Sequence, residues 1–233
     1  MKITYYGHSC FSAEINGKHI LFDPFIKGNP LAGNIKIDEI PADYIFISHA
    51  HFDHIDDLLN IATRTKALVV SNFEIVSWCI KNGVNNTQPL NPGGKWQFDF
   101  GTVKCVTAVH SSSFTTGENG GVASGFIFRS AQGNFYYSGD TALTLDMQLI
   151  PKWAELDFAI LPIGDDLTMG FEDAAEAASM INVKKVIGVH YDTFKFIEIN
   201  KDEAVSAFQI KDINLQLLKI GSVTDIKTGN ESL

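Results

Sequence analysis

From residue 48 to residue 54 the chain reads Ser-His-Ala-His-Phe-Asp-His, directly after the apolar stretch 44–47. Three of the chain's seven histidines fall within six positions, with an aspartate among them. On an extended strand end, residues i and i+2 point the same way, so His49 and His51 can grip one ion together. Where the chain then turns into a helix, Asp53 and His54 face another direction and can serve a second ion. Imidazole suits zinc, iron or manganese, and a carboxylate suits a harder metal or a bridging position. A polar loop with incidental histidines is the plain alternative, and this density of ligands argues against it.

Three further candidates each close an apolar stretch: His110 after VKCVTAV, Asp140 after NFYYSG and His190 after KVIGV. Taken singly, each is more often a cap, a turn residue or a hydrogen-bonded core group. Together with the first four they complete two shells: three His on one ion, Asp plus two His on another, and one bridging Asp.

The remaining pattern predicts an α/β chain. FSAEI, Asn16-Gly17 and KHILF form a hairpin, because both turn residues tolerate positive φ. Strands are expected at 44–47, 67–71, 124–130, 134–138, 157–163, 185–189 and 215–220, with two more across 95–109 joined by Asp99–Gly101 and ending at His110. Helices are expected just after His54, over 73–82, over 171–181 from apolar residues at 171, 174, 175, 178 and 181, and over 201–209 behind an Asn200 cap. Segments 27–42 and 111–121 are long loops. No composition break separates the halves, so residues 1–233 are expected to form one domain.

The constellation resembles the metallo-β-lactamase superfamily, whose di-metal hydrolases carry HxHxDH followed in order by a His, an Asp and a His. All of these have matches here, across residues 23–190. The resemblance implies that His49, His51 and His110 bind one metal, that Asp53, His54 and His190 bind a second, and that Asp140 bridges them. It also implies that Asp53 holds the nucleophile, and that Asp23, in LFDPF, braces the HxHxDH loop rather than simply capping a strand. The implied fold is a four-layer αβ/βα sandwich, two mixed sheets with helices outside and the site at one edge. Two divalent metal ions are the implied cofactors, zinc first, with manganese, nickel or iron as alternatives.

MKITYYGHSCF, DPF followed by GNPLA, and HYDTF are similar to a compact branch of metal-dependent hydrolases related to ascorbate-6-phosphate lactonase. In that branch His8 lies near the metals and touches substrate or shuttles a proton; a hydrogen-bonded strand-end His is the plainer reading. Asp165-Asp166 follows Gly164 where a second Gly is common, and Asp192 stands where Asn is frequent. Both changes alter charge near the pocket. Thr168 and Met169 either face that pocket or cap the 171–181 helix. Lys195 either meets the outer charge of an anionic substrate or is a solvated loop lysine. His19, in the hairpin, is expected to be solvated, and Asp56 and Asp57 to support a helix N-terminus.

Net charge and cysteine usage narrow the function. A chain at -9 with only two arginines and no Lys-rich stretch is a poor partner for a phosphate backbone. No run approaches the roughly 18 apolar residues that span a bilayer, and three scattered cysteines fit neither a disulfide framework nor a thiolate site. The cytoplasm is therefore the expected compartment, a small molecule the expected substrate, and the family's habit implies a homo-oligomer. A di-iron oxidoreductase of the same fold usually carries Glu where His51 stands and needs a flavin partner. A tRNA-processing nuclease needs a basic arm that this chain lacks. A non-catalytic metal-binding regulator commonly loses ligands, whereas this set is complete. Hydrolysis of a small, anionic ester, lactone or phosphodiester is the leading expectation.

Overall fold

Alternation of inward and outward residues builds two sheets. A computed structural model describes residues 1–227. Strands β1 (Lys2–Gly7), β2 (Cys10–Ile15), β3 (Lys18–Phe22), β4 (Tyr44–Phe46), β5 (Leu68–Ser71) and β6 (Thr87–Pro89) lie side by side in chain order. Strands β7 (Lys95–Phe98), β8 (Gly101–Thr107), β9 (Ser124–Ser130), β10 (Gly133–Tyr137), β11 (Phe158–Pro162), β12 (Lys185–Val189) and β13 (Asn214–Gln216) do the same in a second sheet. The last strand, β14 (Val223–Asp225), returns to the first sheet beside β1. Both sheets are mixed: β3 to β6 pair in parallel, as do β10 to β13, and the other neighbours are antiparallel.

Period-two patterning assigns each side chain to a layer. Ile3, Phe11, Phe22, Phe46 and Val70 of the first sheet meet Val103, Phe128, Phe135, Phe158 and Ile187 of the second in one apolar core. Phenylalanines fill it: Phe11 stacks on Phe22 at 4.3 Å and Phe128 on Phe135 at 4.5 Å between ring centroids. The outer face of the first sheet (Leu21, Ile45, Val69) is covered by α2 (Leu58–Thr65) and α3 (Phe73–Lys81), which follow the single turn α1 (Phe52–Ile55). That of the second (Ile127, Ala159, Val186) is covered by α4 (Phe171–Met180) and α5 (Lys201–Ile210). The result is helix–sheet–sheet–helix, the metallo-β-lactamase fold. Among the described residues no helix is long and apolar enough to cross a membrane.

Several expectations need correction. The helix after His54 is two pieces, because α1 already contains Asp53 and His54 and the chain breaks before α2. The strand expected at 215–220 is only β13; beyond Gln216 the chain is irregular until β14. Strand β8 stops at Thr107, so His110 sits three residues past it. The edge strands β6 and β14 and the 3-10 turns at 37–39, 145–152 and 195–197 carry no periodic signal long enough to see. The hairpin holds, with Asn16 and Gly17 at φ +51° and +73°, and Asn200 caps α5 by accepting from the amides of Asp202 and Glu203.

Candidate metal centre

Strand direction places the site. Strand β1 runs antiparallel to β2 and β2 to β3, so β1 and β3 run the same way, as β4 does beside β3. By the same count β8, β10 and β12 share one direction. Each of these six strands is followed within three residues by a polar group of the cluster: His8, Asp23, Ser48 to His54, His110, Asp140 and His190. The two sheets are laced together there, since Ser124 donates its amide to the Ser48 carbonyl at 3.0 Å and His190 to the His8 carbonyl at 3.0 Å. Gly139 permits this approach: it has φ +60°, and a Cβ on it would lie 2.6 Å from that of Ser48. His8, Asp23 and His190 hold φ of +55°, +39° and +56°, left-handed backbone that is uncommon for non-glycine residues.

Seven expected ligand residues converge. His49, His51 and His110 gather ring nitrogens at one point, and the nitrogens of His54 and His190 gather with an Asp53 carboxylate oxygen at another, with His8 beside the second group. Asp140 stands between: its Oδ2 is 3.0 Å from His190 Nε2, 3.1 Å from His54 Nε2 and 3.8 Å from the Nε2 atoms of both His49 and His110. His49 Nε2 and His51 Nδ1 are 2.9 Å apart. Two ligands at about 2.1 Å from a tetrahedral ion are separated by roughly 3.4 Å, which these spacings bracket.

Hydrogen bonds fix which nitrogens are free. The Asp23 carboxylate is fully buried and can only accept, so Ser48 Oγ (2.6 Å), Tyr137 Oη (2.5 Å) and His54 Nδ1 (2.8 Å) all donate to its Oδ2, while the Ser48 amide donates to Oδ1 at 2.8 Å. The Ser48 hydroxyl, its one proton committed, accepts from His49 Nδ1 at 3.0 Å. In their neutral form both His49 and His54 are thereby left with Nε2 lone pairs aimed inward. His54 Nε2 and Asp140 Oδ1 are buried with no hydrogen-bond partner, a cost that a cation would relieve. A His/Asp donor set with fixed tautomers and orphaned inner atoms fits divalent metal ions.

Electrostatics agree. Burial opposes ionisation of Asp140 and Asp53, yet His190 and His54 beside the first, and His190 and His8 beside the second, hold both carboxyls well below the usual range. Burial likewise disfavours charge on His54 and His190, but Asp140 outweighs it, with Asp23 acting also on His54; His54 is pushed up and His190 rises to about 9. Burial pulls His49, His51 and His110 down. The pocket demands positive charge beside Asp140 and offers neutral imidazoles on its other flank.

His8 is 1% exposed and engaged at both nitrogens: Nε2 donates to Asp53 Oδ2 at 3.0 Å, and Nδ1 accepts from Thr193 Oγ1 at 2.9 Å. Burial first, then the charge of His190, pulls its pKa down to about 4. Thr168 lies in the 165–170 turn, which leans on the residue after Asp140 through a Met169 amide to Thr141 carbonyl bond of 3.0 Å; its hydroxyl donates to the Met169 carbonyl. Lys195 is exposed in the 195–197 turn. Neither is joined to the ligand cluster by a hydrogen bond or ion pair.

Asp57 is the residue at the N-cap of α2 but makes no side-chain cap hydrogen bond; its carboxylate accepts the amides of Ile26 and Lys27 at 2.7 and 2.9 Å, fixing the loop after Asp23. Asp56 is exposed, and His19 pairs with Glu14 in the β2–β3 ladder, away from the centre. Asp165 and Asp166 take φ of +63° and +50°, which glycine adopts freely. Asp192 is paired with Lys201 at 2.8 Å. Sequence reasoning missed the supporting roles of Ser48, Tyr137 and Thr193. Ser48 borders the motif and Thr193 lies three residues past His190, whereas nothing local marks Tyr137.

Fold and site together define a metallo-β-lactamase-type protein with a His/Asp metal centre. The chain matches the family model described as Beta-lactamase superfamily domain over residues 2–190. A UPF0173 metal-dependent hydrolase of Flavobacterium johnsoniae is 50% identical, covering 97% of this chain and all of the relative. The chain belongs to that UPF0173 family. Among solved structures, Igni18, a metallo hydrolase from Ignicoccus hospitalis, is 31% identical with a TM-score of 0.86, covering 96% of this chain and 97% of that one. The metallo-β-lactamase fold protein YhfI of Bacillus subtilis, 14% identical, covers 96% of this chain and 99% of its own at a TM-score of 0.74 and shares the fold.

Proposed function

We propose that this protein is a hydrolase that works with two divalent metal ions, zinc first among them, on a small anionic ester, lactone or phosphodiester. The central position of Asp140 Oδ2, between a three-histidine group and an Asp-His-His group, carries the reading. When bound, such ions supply Lewis acidity and lower the pKa of water toward neutrality.

The protein's own groups do the rest. His49, His51 and His110 would hold one ion, Asp53, His54 and His190 the other, and Asp140 both. Asp23 sets the tautomer and direction of His54 directly and of His49 through Ser48. Asp53 orients the attacking water, and His8 steers that carboxylate from behind as a positioning residue, its nitrogens being closed to substrate.

An anionic substrate follows from charge. Two divalent ions against the carboxylates of Asp53 and Asp140, with neutral histidines, leave a centre of about +2, within a chain that is -9 overall. Such a chain repels polyanions at long range yet holds one compact anion locally. Thr168 and Lys195 are the residues assigned to that substrate.

Elemental analysis of fully reconstituted protein tests the centre, and a ceiling of one ion per chain overturns the two-metal reading. A screen of lactones, phosphodiesters and thioesters tests the reaction. Neutral lactones turned over as well as phosphorylated ones by wild type and Lys195→Ala alike would remove the anion requirement.

A further inference from the structure

A row of four phenylalanines runs from the centre to the surface. Phe25 is buried, and its ring meets that of Phe52 edge-on at 5.7 Å and that of Phe194 at 6.3 Å. Phe52 and Phe194 are 6.2 Å apart, and Phe194 stacks on Phe196 at 5.6 Å. The inner end of the row packs on His8, 5.5 Å from Phe25 and 5.6 Å from Phe194, and His8 holds Asp53. The outer end is open: Phe52 is 48% exposed and Phe196 53%.

Isolated exposed apolar side chains are ordinary. Four contiguous rings that end on the residue bracing Asp53 are not. Phe52 stands between His51 and Asp53 in the chain, and its ring connects to the centre through Phe25 and Phe194, which pack on His8. Lys195 is exposed between Phe194 and Phe196 and makes no ion pair among the described residues. An apolar wall beside a few convergent polar groups is how small-molecule sites are built, and offset or edge-on ring contacts reward an aromatic occupant.

We propose that Phe52, Phe194 and Phe196 form a shelf that binds an aromatic or similarly flat apolar group of the substrate, whose anionic head lies at the metal centre. This rests on the hydrolase reading above and adds the second half of the substrate. The occupant is a substrate group rather than a second copy of the chain because the inner end of the row packs on His8, the residue that holds Asp53.

The test uses zinc-loaded protein and two dianions that differ only in the ring, phenylphosphonate and methylphosphonate, with affinities measured by calorimetry. Phenylphosphonate is expected to bind about tenfold tighter or more, the discrimination that an apolar pocket gives. Phe52→Ala and Phe196→Ala are each expected to shrink that ratio, and Phe52→Leu to keep part of it; the metal content and native mass of every variant are measured alongside. Equal affinities in the wild type, no binding of phenylphosphonate, or a ratio unmoved in both alanine variants would each overturn the shelf. A change in native mass with the ratio intact would assign the rings to a subunit interface instead. Turnover and metal stoichiometry decide the hydrolase reading separately, so failure of the shelf and failure of that reading are told apart.

Discussion

Asp23→Asn keeps the shape of a fully buried side chain and exchanges one acceptor oxygen for an NH2 group. Four donors converge on that carboxylate, one on Oδ1 and three on Oδ2. In one orientation the new amide faces the Ser48 backbone N–H; in the other it faces Ser48 Oγ, Tyr137 Oη and His54 Nδ1. No orientation satisfies all four. One orphaned buried donor costs about 1–3 kcal/mol, and the surviving bonds lose their charge assistance. A total of about 2–4 kcal/mol, at roughly 2–4 °C per kcal/mol for a chain of this size, lowers Tm by about 4–16 °C. His54 is also freed to turn its proton inward, so zinc affinity should fall about 10- to 100-fold. Calorimetric melting of metal-free protein and competition with a chelator read the two effects independently. Tyr137→Phe removes one donor and keeps the charge, so it should cost only about 1–2 kcal/mol. If Asp23→Asn melted with the wild type and held zinc as tightly, the bracing argument would be wrong.

Asp53→Ala should abolish turnover of any confirmed substrate while the three-histidine group retains about one zinc per chain, whereas Asp140→Ala should weaken both ions; elemental analysis distinguishes them. In metal-free protein His190 is raised from 6.5 to about 9. Its contribution to stability is therefore complete below about pH 6.5 and lost as pH rises through 9, which melting curves across that range should show. Over the same window zinc affinity should rise with pH, because the metal displaces that proton. All three cysteines are free and buried. Burial pushes all three thiols up, Cys79 and Cys105 to about 12, so a thiol reagent should label none in the native protein and three in denaturant.

The candidate metal ligands were legible because each is chemically conspicuous and sits where an apolar run stops. His49, His51, Asp53 and His54 need only local geometry to be read, and His110, Asp140 and His190 need only the expectation that strand ends gather. The supports were less legible for a physical reason. Tyr137 is an ordinary inward strand residue until folding lays its hydroxyl against Asp23, 114 positions away. Thr193 and His8 meet across 185 positions, and His8 alone reads equally well as a substrate contact. Short edge strands stayed hidden too: β6 is three residues ending in Pro89, and β14 is three residues with no buried position.

Why the centre lies where it does follows from topology. A ligand set drawn from one sheet would come from strand ends spaced about 4.8 Å apart along a line and would approach an ion from one side. Here the first sheet supplies Asp23 and the 48–54 segment from adjacent strands, and the second supplies His110, Asp140 and His190 from β8, β10 and β12. The aromatic core sets the distance between the sheets, and at its open end their strand termini face one another. The candidate site is therefore enclosed from two sides, with Asp140 coming from the second sheet and the histidines around it from both. Packing and chemistry are coupled by this arrangement: the Phe22 and Phe46 rings that fill the core belong to the strands that end at Asp23 and Ser48. A cavity opened at either ring relaxes the spacing on which the ligand geometry depends, so core substitutions there should loosen metal binding without touching a ligand.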